Sequence, residues 1–94
     1  MGKVIYSSSQ IDDFGRRVLR LLEDQCAKLN TSGLMITLVQ SGENPHPVVT
    51  IIREKTTRSF QIDYEELALA TTDAALSEKI RRNLARAIEE ISAQ

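Results

Sequence analysis

A chain of 94 residues, 41% apolar, 27% charged and 4% aromatic, suits one domain with a core of Leu, Ile and Val and no deep cleft walled by core on both sides. Its formal charge of -1 and pI near 5.8 supply no global positive field, so strong sequence-independent nucleic-acid binding is disfavoured. The lone Cys26 cannot close an internal disulfide, Met1 to Ser9 lacks the apolar stretch and cleavage site of a secretory signal, and no apolar run nears the ~20 residues that cross a bilayer, so a soluble, cytoplasmic protein without membrane contact is expected.

The first residues, 1–8, are either a tail or a short strand over Lys3 to Tyr6. Ile11, Phe14, Val18, Leu21, Leu22, Cys26 and Leu29 then recur at three- and four-residue spacing, which predicts an amphipathic helix from about Gln10 to Leu29 with Ser8 or Ser9 as N-cap. Asp13 with Arg17 and Arg20 with Asp24 mark its wet side, each pair contributing only about 0.2 to 0.5 kcal/mol. Gly15 falls on the apolar side despite a mid-helix cost of about 1 kcal/mol against Ala, and is read as a point of close backbone approach.

Asn30-Thr31-Ser32-Gly33 stops the helix, with Asn30 or Gly33 suited to positive φ. A first strand follows from about Leu34 to Val39. Gln40 to Pro47 is a loop, because two prolines cannot donate to a ladder and Gly42 and Asn44 favour turns. Val48 to Lys55 forms the second strand, Glu54 to Thr57 a polar connection, and Arg58 to Ile62 a third strand whose Ser59 and Gln61 give it the polar side of a natural edge. Asp63 with Glu66 resembles a capping box before a short helical turn from Tyr64 to Ala70. Thr71-Thr72-Asp73 caps a last helix of roughly twenty residues, lined by Leu76, Ile80, Leu84, Ala87, Ile88 and Ile91, with Glu78, Arg82, Arg86 and Glu89 opposite.

These elements predict an α+β fold: a two-layer α-β-β-β-α domain over residues 1–94, with a three-stranded antiparallel meander and two long amphipathic helices on one face. Leu34, Ile36, Leu38, Val49, Ile51, Phe60 and Ile62 share the parity that faces the helices. The first two strands are apolar at both parities. The second face therefore carries Met35, Thr37, Val39, Val48, Thr50 and Ile52, a larger apolar patch than a monomer ordinarily exposes. It needs a lid, for which Tyr64 to Ala70 with Leu67 and Leu69 is the internal candidate, or a second copy or protein partner.

The residue types for catalysis are sparse. His46 is the only histidine, in a Pro-rich loop with Glu43 nearby in sequence, and is read as a loop residue; Cys26 sits on an apolar helix face where an inert thiol is expected. One His and one Cys do not make a zinc site. No phosphate loop, paired-cysteine spacing or nucleophile elbow occurs, so neither catalytic residues nor a metal or other cofactor is expected. Asn83, inside the last helix's apolar stripe, is read as a buried amide that fixes register. The leading expectation is a non-enzymatic interaction module, such as an adaptor, inhibitor or regulatory subunit, acting through the second sheet face or an edge strand as a homodimer or on a protein partner.

The order α-β-β-β-α, the loop Ser41-Gly42-Glu43-Asn44-Pro45-His46 and the stretch from Ser77 to Ala85 resemble, in topology, a double-stranded-RNA-binding domain. That resemblance implies a loop entering a minor groove and a basic helix start gripping phosphates, which here would be His46 with Lys79, Arg81 and Arg82. Asn44 interrupts the family's Gly-Pro pair, and Asp63, Glu65, Glu66 and Asp73 put negative charge ahead of the helix. Arg16, Arg17 and Arg20 on the first helix are likewise interleaved with Asp12, Asp13, Glu23 and Asp24. Nucleic-acid binding is therefore the competing reading, disfavoured by charge.

Overall fold

The computed structural model describes residues 4–7, 10–29, 31, 33–41, 43, 46–63 and 73–92. The elements in chain order are β1 (Val4–Ser7), α1 (Asp13–Lys28), β2 (Met35–Val39), β3 (Val48–Arg53), β4 (Thr56–Gln61) and α2 (Asp73–Ser92). The helices and the meander of β2, β3 and β4 stand in the expected order, and the strand at the amino terminus adds to them. The sheet has four strands in the order β1-β2-β3-β4. β1 runs parallel to β2, pairing Val4 with Met35 and Ser7 with Leu38, and α1 is the crossover between them. This covers the edge of β2 that a plain meander would leave bare.

α1 starts later than Gln10, and neither Ser8 nor Ser9 caps it. Asp12 is the N-cap: its backbone is extended, and its carboxylate accepts the Gly15 N–H at 2.8 Å. A longer-range bond holds it there, because the Asp12 N–H donates to Gln40 Oε1 at 3.0 Å. At the other end the Leu29 N–H closes on the Gln25 carbonyl, and Gly33 takes the left-handed conformation (φ 77°) before β2.

β3 and β4 form a hairpin whose connection is shorter than the polar run suggests. Arg53 pairs with Thr56, so only Glu54 and Lys55 form the turn and β4 begins at Thr56. Glu54 takes φ 54°, a left-handed conformation in which a side chain is strained. The proposed helical turn of Tyr64 to Ala70, its role as a lid, and Glu66 of the capping box lie outside the described residues.

The core sits between the helices and one face of the sheet. Val18, Leu22, Ile36, Leu38, Val49, Ile51, Ile62, Leu76, Ile80 and Leu84 are fully buried there, with Ile11, Phe14, Phe60 and Ile88 packed at its margin. Each such aliphatic side chain contributes about 1.5 to 3 kcal/mol, largely offset by ordering entropy. The parity expected to face the helices is the one that does. α1 and α2 also touch one another, and Gln25 Nε2 donates to Ser77 Oγ at 2.7 Å across that contact. Gln25 Oε1 is buried without a hydrogen-bond partner among the described residues.

Candidate functional site

The sheet face turned away from both helices is built by strand alternation. Met35, Thr37 and Val39 are the outward residues of β2, and Val48, Thr50 and Ile52 those of β3. The register makes them direct neighbours: Met35 opposes Ile52, Thr37 opposes Thr50, and Val39 opposes Val48. The result is an uncharged rectangle with apolar corners around a threonine centre. Met35 is 43% and Val39 49% exposed, while Val48, Thr50 and Ile52 are half-buried by their neighbours. Thr57, Ser59 and Gln61 of β4 continue the same face as a polar, exposed border. Every residue singled out in the sequence for a partner surface is thus brought together on one side of one ribbon.

The residues of the competing nucleic-acid reading lie on different elements. His46 is half-buried in the connection from β2 to β3, and Lys79, Arg81 and Arg82 sit on α2. Arg81 Nη2 meets the two Glu78 carboxylate oxygens at 2.6 and 2.7 Å, and Arg82 Nε meets Oε1 at 3.2 Å. Glu78 thereby offsets charge that a phosphate would have to recruit. The Arg81 hydrogen bond, helped by the charges of both arginines, holds the Glu78 carboxyl below its usual pKa, despite an opposing desolvation effect.

A second feature lies where α2 crosses β4. A cleft of about 190 Å³ is lined by Arg58, Ser59 and Phe60 from the strand and by Asn83, Arg86, Ala87 and Glu90 from the helix. Arg58 Nε and Arg86 Nε each approach the Glu90 carboxylate at 3.4 Å. Asn83 is not the buried, register-fixing amide expected from its helical position; it is half-buried at the margin of the stripe and lines this cleft. Neither Arg58 nor Glu90 stands out in the sequence. The one available signal is that Arg58 shares parity with Phe60 and Ile62, and so faces the helix layer.

Among the described residues, no cluster of three or more His, Cys, Asp or Glu is placed to hold a metal ion, and no helix is long and apolar enough to cross a membrane. Cys26 is buried in the α1 core face. Comparison of the chain with protein-family models, with curated proteins and with solved structures finds no match.

Proposed function

We propose that this chain is a non-enzymatic protein-interaction module that pairs with a second copy of itself through the open face of β2 and β3. The observation that carries the reading is the uncharged face of Met35, Thr37, Val39, Val48, Thr50 and Ile52, with the large apolar side chains of Met35 and Val39 exposed at its two β2 corners. Water penalises such a patch in proportion to its area, and covering it is favourable. A second copy is the occupant that suits it best. A two-fold axis in the plane of contact lays apolar corner on apolar corner and threonine on threonine, and the absence of charge means that identical faces do not repel. An isologous sheet-on-sheet dimer of this kind leaves both helices outward, where their charged sides meet solvent.

Replacing Val39 and Ile52 with glutamate tests this reading. In a dimer, each substitution buries an unpaired carboxylate against its counterpart, which costs several kcal/mol and weakens association more than about a hundredfold. The mass in solution should fall from about twice the 10.5 kDa of the chain to that of one chain, while far-ultraviolet circular dichroism retains the helical signal. An unchanged mass contradicts the proposal.

A further inference from the structure

We propose that the outer edge of β4, together with the cleft beside it, accepts an extended acidic segment of a partner protein as an additional strand. The hairpin geometry determines which backbone groups face outward. Its turn closes on the pair Arg53 and Thr56, and the Ile62 N–H donates to the Pro47 carbonyl at 2.8 Å at the far end. Antiparallel pairs alternate between bonded and non-bonded, so Thr56, Arg58 and Phe60 bond toward β3. The N–H and C=O groups of Thr57, Ser59 and Gln61 consequently point away from the sheet, and no strand pairs with them among the described residues. Such a row is a template for strand addition.

The cleft supplies the side-chain preference. Two guanidiniums, Arg58 and Arg86, share the single carboxylate of Glu90, an excess of one positive charge over negative in the cleft among the described residues. The Asn83 side chain lines the same space. One incoming carboxylate suits both features, because arginine is a forked donor matched to carboxylate and the amide is a further donor. Arg58 also guards the edge: its Nη1 donates to the Thr57 carbonyl at 2.9 Å. An entering strand takes that carbonyl with its own N–H, and the freed guanidinium turns to the carboxylate. Side chains of the added strand alternate, so the acidic residue lies on the helix side beside Phe60, and small polar residues lie on the side of Thr57, Ser59 and Gln61. A second copy pairing through this edge brings another Arg58 rather than the missing negative charge.

The test is a titration of the isotope-labelled protein with the hexapeptide acetyl-Val-Thr-Glu-Thr-Val-Thr-amide, read by backbone amide shifts and hydrogen exchange. The amides of Thr57, Ser59 and Gln61 should shift and become protected from exchange. Arg86, whose side chain is 80% exposed, can be removed without touching the core, and Arg86→Ala should weaken binding about tenfold, the loss expected for one charge-assisted pair. Glu90→Gln removes the competing carboxylate and should tighten binding, an effect that a merely structural role for Glu90 would not produce. The proposal is overturned by unmoved edge amides at millimolar peptide, by equal binding of a peptide with Lys in place of Glu, or by concentration-dependent shifts of the same amides without peptide, which would assign the edge to a second copy. The Val39→Glu and Ile52→Glu variant should bind the peptide unchanged, so the fate of the sheet-face dimer is read separately.

Discussion

Gln40 Oε1 accepts the backbone N–H of Asp12, tying the loop that leaves β2 to the residue that caps α1. The same amide fills the space over Gly15. A Cβ built on Gly15 collides with Gln40 Oε1 and comes within 2.6 Å of Ile11 Cγ2. The glycine is therefore required by packing at a helical position where alanine is intrinsically better.

Gly15→Ala should accordingly destabilise the protein. The helix propensity gain of about 1 kcal/mol is outweighed by overpacking of about 1 to 3 kcal/mol, for a net loss near 1 kcal/mol in urea unfolding. Because Gln40 is the main obstacle, the same substitution in a Gln40→Ala background should cost less or stabilise. Additive effects of the two changes would show that Gln40 is not what excludes a side chain at Gly15.

The Gln25 and Ser77 bond between the helices predicts a different non-additivity. Ser77→Ala leaves Gln25 Nε2 as well as Oε1 without a partner among the described residues and should cost about 1 to 2 kcal/mol. Gln25→Leu removes the orphaned acceptor altogether, and together with Ser77→Ala it should restore stability to within about 0.5 kcal/mol of the parent. Chemical denaturation of the single and double variants decides this.

Glu54 offers a stabilising change. At φ 54° its side chain is held in a conformation that costs an L-residue about 1 to 2 kcal/mol. Glycine relieves that strain but loses backbone entropy on folding, so Glu54→Gly should raise stability by about 0.5 to 1 kcal/mol. A shift of the urea midpoint to higher concentration, with an unchanged slope, is the expected result.

The pair of arginines on Glu78 makes a pH-dependent contribution. The folded carboxyl titrates below its usual range because Arg81 hydrogen-bonds its charged form. The contribution is thus fully present above the ordinary glutamate pKa, and it is lost as pH falls through the depressed one. Glu78→Gln should flatten the decline of melting temperature in that acidic window and leave the slope near neutrality alone. High salt should shrink the difference, since the pair is solvent-exposed.

Much of this architecture is legible along the chain because strand and helix periods differ. Leu34, Ile36 and Leu38 alternate with Met35, Thr37 and Val39, so a period of two assigns each set to one side of the sheet, and Gly15 betrays a close approach by its place on the α1 wheel. Contacts between distant segments are what escape. Ser8 and Ser9 are of the residue type that favours an N-cap, yet Asp12 takes the role while bonded to Gln40, 28 residues away. Four residues of β1 carry too little pattern to reveal a parallel partner across a helix. The cleft of Arg58, Arg86 and Glu90 depends on how α2 is seated on β4, which no periodicity encodes.

The claim on which the functional account rests is that Met35, Val39, Val48 and Ile52 are covered by the same residues of another copy. Absolute molar mass by light scattering across a dilution series of the unmodified chain addresses it most directly. Twice the 10.5 kDa of a single chain at high concentration, falling toward one on dilution, is the predicted result. A single-chain mass at every concentration, up to the millimolar range, would contradict it.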